Sequence, residues 1–228
     1  MRISTPGIVL KTSLFKESSI IVRLFTLKRG KSSYVIKAAM RQKSPLKAIY
    51  QQMNEVEVNY VHNNKRQLQP IYDSKTLNSW DGINKDLRKT VLCLSMIEMI
   101  DKGFDETTSD QSTYYLIKNI LEYFNIAENG YNNAFYFFLI HFLKNTGYNI
   151  IDAEEHPIIR RYKTKEPKLT EQLKEIYYSD FIDKKNMNTE FSYDKKTMAN
   201  FISDLMRYHL PDIKSFGVAT SLWCPPLW

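Results

Sequence analysis

The chain has little cysteine and little glycine for its length of 228 residues. It contains two cysteines, Cys93 and Cys224, and seven glycines. Two cysteines far apart in the sequence form no disulfide framework, which favours a reducing compartment. The few glycines leave no dinucleotide-binding fingerprint, and the four histidines never stand in H-x-x-x-H or H-x-x-E-H spacing. With no G-x-S-x-G nucleophile motif either, the sequence predicts a protein that is not an enzyme.

A complete phosphate-binding loop is also missing. Gly30-Lys31-Ser32 matches the last three positions of a P-loop. That motif requires another glycine five residues earlier, where this sequence has Phe25. The residues on both sides predict strands, so no helix N-terminus would point at a phosphate. We therefore reject a P-loop.

Long hydrophobic runs are absent too. The most apolar stretch, residues 132–148, is interrupted by His141 and Lys144 and is too short to cross a bilayer. The N-terminus lacks the apolar segment of a signal peptide. We expect no membrane association and a cytoplasmic location.

Charge is distributed unevenly along the chain. Residues 1–80 contain 14 Lys and Arg against 4 Asp and Glu, whereas the remaining residues contain 18 against 21. The overall charge of +7 therefore hides a strongly basic first third. Such an asymmetry indicates that one part of the protein binds a polyanion.

The first 80 residues alternate between apolar and polar positions in five short segments separated by turn residues. This period of two predicts antiparallel strands. Five strands in so short a region favour a small closed barrel of the oligonucleotide-binding (OB) type, with an open meander or an SH3-like barrel as alternatives. The five segments are GIVLKTSLF, SIIVRLFT, KSSYVIKA, MNEVEVNYV and LQPIYDS.

After Asp81 the apolar period changes to that of helices. The spacing places Leu87, Val91, Leu94, Ile97 and Ile100 on one face. The next helix is expected to bury Tyr114, Ile117, Leu121 and Phe124. Helices are also predicted over residues 132–148, 168–181 and 194–210, with a loop over residues 152–168. The chain is therefore an α+β protein with a barrel over residues 1–80 and an all-α domain over residues 81–228.

A basic cluster lies where an OB barrel presents its binding face. The candidate phosphate contacts are Lys37, Arg41, Lys43 and Lys47, followed by Arg23, Lys28, Arg29 and Lys31. Tyr34 and Tyr50 lie close to them in sequence as candidate stacking surfaces for bases. A cationic groove with aromatic residues is typical of single-strand binding. The alternative is a lysine-rich surface over a barrel whose tyrosines belong to the core.

The ordered motifs of the chain resemble the RecO family of bacterial recombinational repair proteins. The resemblance begins with the Gly-Ile-Val-Leu strand, the Glu-Ser turn, LFT…G and the basic loop. It continues through FLIHFLKNTGYN to RYHLPDIKS, with residues 150–190 matching poorly. The residues at the expected positions of the N-terminal motifs are Gly7, Glu17, Ser18, Phe25, Thr26, Gly30, Lys37, Lys43, Ser44 and Gln52.

The resemblance implies an OB barrel and a helical domain, and binding of single- and double-stranded DNA with strand annealing. It also implies location at the bacterial nucleoid and partnership with RecR and the single-strand binding protein. Lys102, Lys118 and Lys144 are candidates for the acidic C-terminal tail of the latter protein. Many family members carry a four-cysteine zinc module. Because two cysteines cannot form one, we expect no cofactor and no structural zinc.

Two other functions remain open from the residues alone. An RNA-binding OB protein would use the same phosphate contacts, because these do not distinguish the sugar. A protein-interaction scaffold would show no salt-sensitive binding to nucleic acid.

Overall fold

The computed structural model describes residues 2–42, 44–66, 68–128, 130–148, 150–151, 156–179, 195–211 and 213. The chain divides into two compact units. The barrel unit comprises Met1–Asp81 together with Ile100–Lys118, and the helical unit comprises Gly82–Met99 together with the described residues from Asn119 onward. The apolar period after Asp81 predicts Ile100–Lys118 as part of the helical domain. The structure instead groups this segment with the barrel.

Five strands form the closed barrel. They are β1 (Arg2–Phe15), β2 (Ser19–Thr26), β3 (Gly30–Ile36), β4 (Glu55–Val61) and β5 (Gln69–Asn78). The strand order is β1-β2-β3-β5-β4, and β4 pairs back onto β1. All pairings are antiparallel except a short parallel seam between β3 and β5, where Tyr34 pairs with Gln69 and Val35 with Pro70. This topology confirms the OB-type barrel and excludes the open meander.

The barrel core follows from the alternation in the strands. On β2, Ile20, Val22 and Leu24 are at most 2% exposed, and the residues between them face outward. Burying such a side chain stabilises the fold by about 1.5–3 kcal/mol. The same alternation on β4 buries Val56, Val58 and Tyr60. The alternation of apolar and polar residues that predicts the strands therefore also identifies the residues of the barrel core.

The helices agree largely with the sequence analysis. The short α1 (Leu46–Ile49) lies between β3 and β4, and α2 (Asp81–Asn84) follows β5. The longer helices are α3 (Leu87–Gly103), α4 (Gln111–Ile126), α5 (Tyr131–Asn145), α6 (Pro157–Lys165), α7 (Pro167–Tyr178) and α8 (Lys195–His209). The predicted α4 face is buried as expected, and α5 is buried on most of its surface.

Two expectations about the helices were wrong. Residues 152–168 were predicted as a loop because they contain two prolines, but Pro157 and Pro167 begin α6 and α7. Proline suits a first helical position, where its missing N–H leaves no hydrogen bond unmade. On α3, the predicted Ile97 and Ile100 are buried, but Leu87 is 75% exposed, because the buried stripe continues through Leu92 and Met96.

A pair of histidines joins α6 to α8. The His156 Nδ1 accepts a hydrogen bond from the backbone N–H of Ile159 and so caps the start of α6. Its Nε2 lies 3.0 Å from the Nε2 of His209. Because Nδ1 accepts, a neutral His156 carries its proton on Nε2 and donates it to His209. Both rings must therefore be neutral for these contacts.

We expect the helical unit to lose stability as the pH falls through the usual range of histidine. Burial lowers the pKa of His156 and of His209, and for His209 the charge of His156 lowers it further. The unfolded chain then binds more protons than the folded chain below pH of about 6.5, so acidification favours unfolding. Thermal unfolding at pH 7.5 and 5.5 measures the difference. His156→Asn keeps a capping group but removes one of the two titrating rings, so it should reduce the pH dependence of stability; an unchanged profile would contradict this assignment.

Candidate nucleic-acid interface

The last turn of α3 and the segment that follows it cover part of the β2–β3 face of the barrel. Asp101 accepts two hydrogen bonds from Arg23, at 2.7 and 2.9 Å. The Lys31 ammonium donates to the Asp101 carbonyl at 2.9 Å, and the Thr107 N–H donates to the Lys31 carbonyl at 2.8 Å. The β2–β3 face is the usual ligand surface of OB barrels. In this protein its own chain therefore occupies part of that face.

Gly30 permits the close approach of this segment. Its φ is +60°, and a Cβ atom at this position would lie 1.7 Å from the Thr108 carbonyl oxygen. No larger residue fits without moving the backbone of one segment. Gly30, the glycine of the incomplete P-loop motif, therefore allows these two backbone segments to pack closely.

Two of the candidate phosphate contacts have partners within the protein. Lys31 is buried, and Arg23 forms an ion pair with Asp101. A phosphate would have to displace these partners, so Arg23 and Lys31 are weaker candidates than the exposed cations.

A groove of about 720 Å³ opens beside the covered face. Arg29 from the β2–β3 turn and Lys65 and Arg66 from the β4–β5 loop line it, together with Glu106. Three cations against one carboxylate give the groove a positive potential, which attracts phosphate. The volume falls within the range typical of ligand sites.

Gln69 positions the two cations of the β4–β5 loop. This side chain is 7% exposed, and its Nε2 donates to the carbonyls of Asn63 and Arg66 at 2.9 and 2.6 Å. Its Oε1 accepts from the Asn63 N–H at 3.0 Å. The Asn63 side chain in turn accepts from the Lys65 N–H at 2.9 Å. The loop backbone is therefore fixed where it presents Lys65 and Arg66.

The expectation that Tyr34 and Tyr50 offer stacking surfaces was wrong. Tyr34 is 0% exposed and Tyr50 is 1% exposed, and both belong to the barrel core. The Tyr34 ring packs edge-on against Tyr60, with centroids 5.0 Å apart. Burial raises the pKa of Tyr50 to about 12. Neither ring presents a face to a base.

The other predicted cations lie at the surface. Lys28, Lys37, Arg41 and Lys47 are exposed, whereas Lys43 lies outside the described residues. Lys37 lines a second groove of about 460 Å³. The first groove is formed by residues up to the β3–β5 seam and the second by residues beyond it. The two grooves therefore lie at the two ends of one seam, and the lining of the second groove contains one cation, Lys37, and one carboxylate, Asp73.

The candidate partner lysines do not lie in one unit. Lys102 is exposed in the barrel unit, where Lys118 forms a 3.1 Å ion pair with the buried Glu55. Lys144 belongs to the helical unit, with its ammonium 4.3 Å from the centre of the Tyr177 ring. Lys118 thus has a structural partner, and Lys144 lies beside an aromatic surface.

Lys65 and Arg66 are not among the predicted phosphate contacts, because they lie in a predicted turn between two strands. Their position between the fourth and fifth strands of a predicted OB barrel could have identified them, because this loop commonly contacts ligands. Within the described ranges, no three His, Cys, Asp or Glu side chains are close enough to hold a metal ion. Cys224 lies outside those ranges, so the expected lack of zinc stays a prediction. No helix in the described part of the chain is long and apolar enough to cross a membrane.

Comparison with known proteins gives a consistent family assignment. The family model described as Recombination protein O N terminal matches residues 1–80, and that described as Recombination protein O C terminal matches residues 84–151. The relatives below are each called DNA repair protein RecO. The one from Salinibacter ruber is 30% identical over 55% of this chain and 48% of its own length. The one from Flavobacterium johnsoniae is 29% identical over 53% of this chain and 52% of its own length.

These two alignments span about half the length of the curated relatives. The relative from Flavobacterium psychrophilum is 24% identical over 94% of both chains. The two family models follow one another in order and together cover most of the chain. With its closed OB-type barrel followed by helices, the chain belongs to the RecO family.

Proposed function

We propose that this protein is a non-enzymatic DNA-binding mediator of recombinational DNA repair. Its relatives are called DNA repair proteins. The observation that carries the proposal is the groove of the OB-type barrel, where Arg29, Lys65 and Arg66 surround a cavity of ligand size. In this function the protein acts in the cytoplasm, at the nucleoid.

The proposed mechanism is neutralisation of phosphate charge. Lysine and arginine side chains that contact phosphates release condensed counterions, which supplies affinity without reading the sequence. Holding the phosphates of two strands on a cationic surface lowers the repulsion between them. The barrel would therefore accelerate annealing of complementary single strands and also bind the backbone of duplex DNA.

The exposed cations extend the proposed path beyond the groove. From Arg29, Lys65 and Arg66 a strand would follow the β3–β5 seam toward Lys37. The remaining proposed contacts of this path are Lys28, Arg41, Lys43 and Lys47. An OB barrel typically holds about 4–16 nucleotides, which is enough to include both grooves.

The proposed partners are RecR and the single-strand binding protein, with which the protein would load a recombinase onto coated DNA. An acidic tail that ends in an apolar residue needs an apolar slot beside a cation, because a buried unpaired carboxylate is costly. In the helical unit the Lys144 ammonium lies 4.3 Å from the centre of the Tyr177 ring, so a cation adjoins an aromatic side chain there, and we propose this place for the tail. The tail peptide should bind the full chain, and either removal of its last residue or Lys144→Ala should weaken binding. Unchanged binding in both cases would place the tail elsewhere.

Strand annealing tests the proposed function directly. Complementary DNA strands coated with cognate single-strand binding protein should anneal faster with the protein than without it, and the gain should fall as salt rises. A scaffold without DNA contacts would give no acceleration. Annealing and affinity on RNA strands form the matched comparison; a stronger effect on RNA would support the RNA-binding alternative.

A further inference from the structure

Glu106 places a carboxylate in the groove that is lined by the three cations Arg29, Lys65 and Arg66. The side chain is exposed, and its Oε1 accepts a hydrogen bond from the Ser33 hydroxyl at 3.3 Å. Among the described residues, no ion pair joins Glu106 to any of the three cations. A single exposed hydrogen bond adds little to stability, so the fold alone does not account for a carboxylate at this place.

The backbone on both sides of Glu106 is anchored to the barrel. Phe104 is 6% exposed, and the centre of its ring lies 5.2 Å from that of Phe25. The Thr107 N–H donates to the Lys31 carbonyl at 2.8 Å. With an anchor on each side, the main chain holds Glu106 at the groove, and a ligand meets this carboxylate together with the cations.

Asp101, in the same covering segment, has a different role. Its carboxylate is 2.7 Å from the Arg23 guanidinium and thus neutralises a cation of the barrel. The Glu106 carboxylate has no such partner, so its charge acts on whatever enters the groove. A negative charge beside a phosphate is unfavourable, and such repulsive elements commonly limit or select binding.

We propose that Glu106 limits the affinity of the groove for phosphate, and that it thereby sets how fast a bound strand is released. This inference rests on the proposed DNA-binding function and adds a release step to it. A protein that anneals successive pairs of strands must leave each duplex product. The three cations attract the strand, and the carboxylate keeps their hold on it short.

A charge series at position 106 of the full chain tests the limit on affinity. Glu106→Gln keeps the shape and an acceptor for Ser33, so the fold should be retained. Its affinity for a mixed-sequence single strand should rise about 5-fold, mostly through slower dissociation. Glu106→Lys should bind more tightly still and steepen the slope of log affinity against log salt by about 0.7, as one added phosphate contact would.

Asp105→Asn is the matched control. Asp105 is also exposed and precedes Glu106 directly, but it does not line the groove. At about 0.15 M salt, charges more than about 8 Å apart are largely screened, so this variant should bind and release the strand like wild type.

Annealing with strands in large excess over protein tests the release step. Each protein molecule must then release its product to act again, so Glu106→Gln should give a slower steady rate than wild type. With protein in excess over strands no turnover is needed, and the variant should anneal at least as fast as wild type.

The outcomes separate this inference from the proposed function. Salt-insensitive DNA binding by wild type would overturn the proposed function. Salt-sensitive binding that is equal in wild type and Glu106→Gln would overturn the inference alone. Weaker binding by Glu106→Gln would also overturn it, because the carboxylate would then favour the strand. Tighter binding with an unchanged or faster steady rate would overturn the role in release.

Discussion

Replacing Gly30 with alanine should lower the free energy of unfolding by about 3 kcal/mol. The new methyl group would lie 1.7 Å from the Thr108 carbonyl oxygen, so one of the two backbones must move. The left-handed φ of +60° costs about 1–2 kcal/mol for a residue with a Cβ atom, and overpacking costs about 1–3 kcal/mol more. Urea unfolding followed by circular dichroism measures the total loss in the free energy of unfolding.

Gly147→Ala is the matched control for this effect. Gly147 has a φ of +89°, but no heavy atom lies within 4 Å of the position its Cβ would take. The free energy of unfolding of this variant should therefore fall only by the cost of the left-handed conformation, about 1–2 kcal/mol. Equal losses from the two variants would show that the approach of Thr108 to Gly30 contributes no strain.

The second large effect concerns Glu55, a buried carboxylate on β4. It is 1% exposed and accepts hydrogen bonds from the Tyr114 hydroxyl at 2.7 Å and from the Asn78 amide at 2.6 Å. Lys118 lies 3.1 Å away as its ion-pair partner. The carboxylate thus joins β4, β5 and α4 within the barrel unit.

Glu55→Ala should destabilise the protein by about 3–5 kcal/mol, because it leaves Lys118, Tyr114 and Asn78 without their shared acceptor. Glu55→Gln, which keeps the shape and one acceptor oxygen, should lose less. Glu57→Ala on the same strand removes only a surface pair with Lys75 and should hardly change the unfolding midpoint. If Glu55→Ala matched Glu57→Ala, the buried network would have no role in stability.

The barrel strands could be predicted because their information is local. β2 begins and ends at the predicted residues, Ser19 and Thr26, since alternation and turn residues define a half-buried strand. Closure of the barrel depends on the parallel β3–β5 seam, which joins Tyr34 to Gln69. The period of two does not encode such a pairing, so the closed barrel could not be separated from its alternatives by sequence pattern alone.

Long-range contacts determine the features of the fold that the sequence pattern does not predict. The assignment of Ile100–Lys118 to the barrel unit accompanies contacts such as Arg23 with Asp101 and Phe25 with Phe104. Each of these joins residues far apart in the sequence. Arg23 was predicted to contact phosphate because of its charge, but in the fold it is paired with Asp101.

The basic character of the site could be predicted, but the cations that surround the groove could not. Charge counting selected Arg29, which lines the groove, and its role as a phosphate contact stays a prediction. Lys65 and Arg66 join it through the hydrogen bonds of Gln69, which fold the β4–β5 loop. The prediction that Tyr34 stacks on bases was wrong, because an aromatic residue close to cations in the sequence can equally belong to the barrel core, where Tyr34 is buried.

The salt dependence of single-strand binding by a groove variant tests the central claim most directly. The variant Arg29→Ala/Lys65→Ala/Arg66→Ala is compared with wild type by fluorescence anisotropy over a range of salt. A matched control, Lys165→Ala/Lys168→Ala/Lys174→Ala, removes the same charge from exposed positions of the helical unit. Each phosphate contact contributes about −0.7 to the slope of log affinity against log salt. The groove variant should therefore lose about 2 units of slope and at least about 10-fold in affinity, while the control keeps the wild-type slope. A flat salt response of the wild type, or equal slopes for wild type and groove variant, would contradict the account.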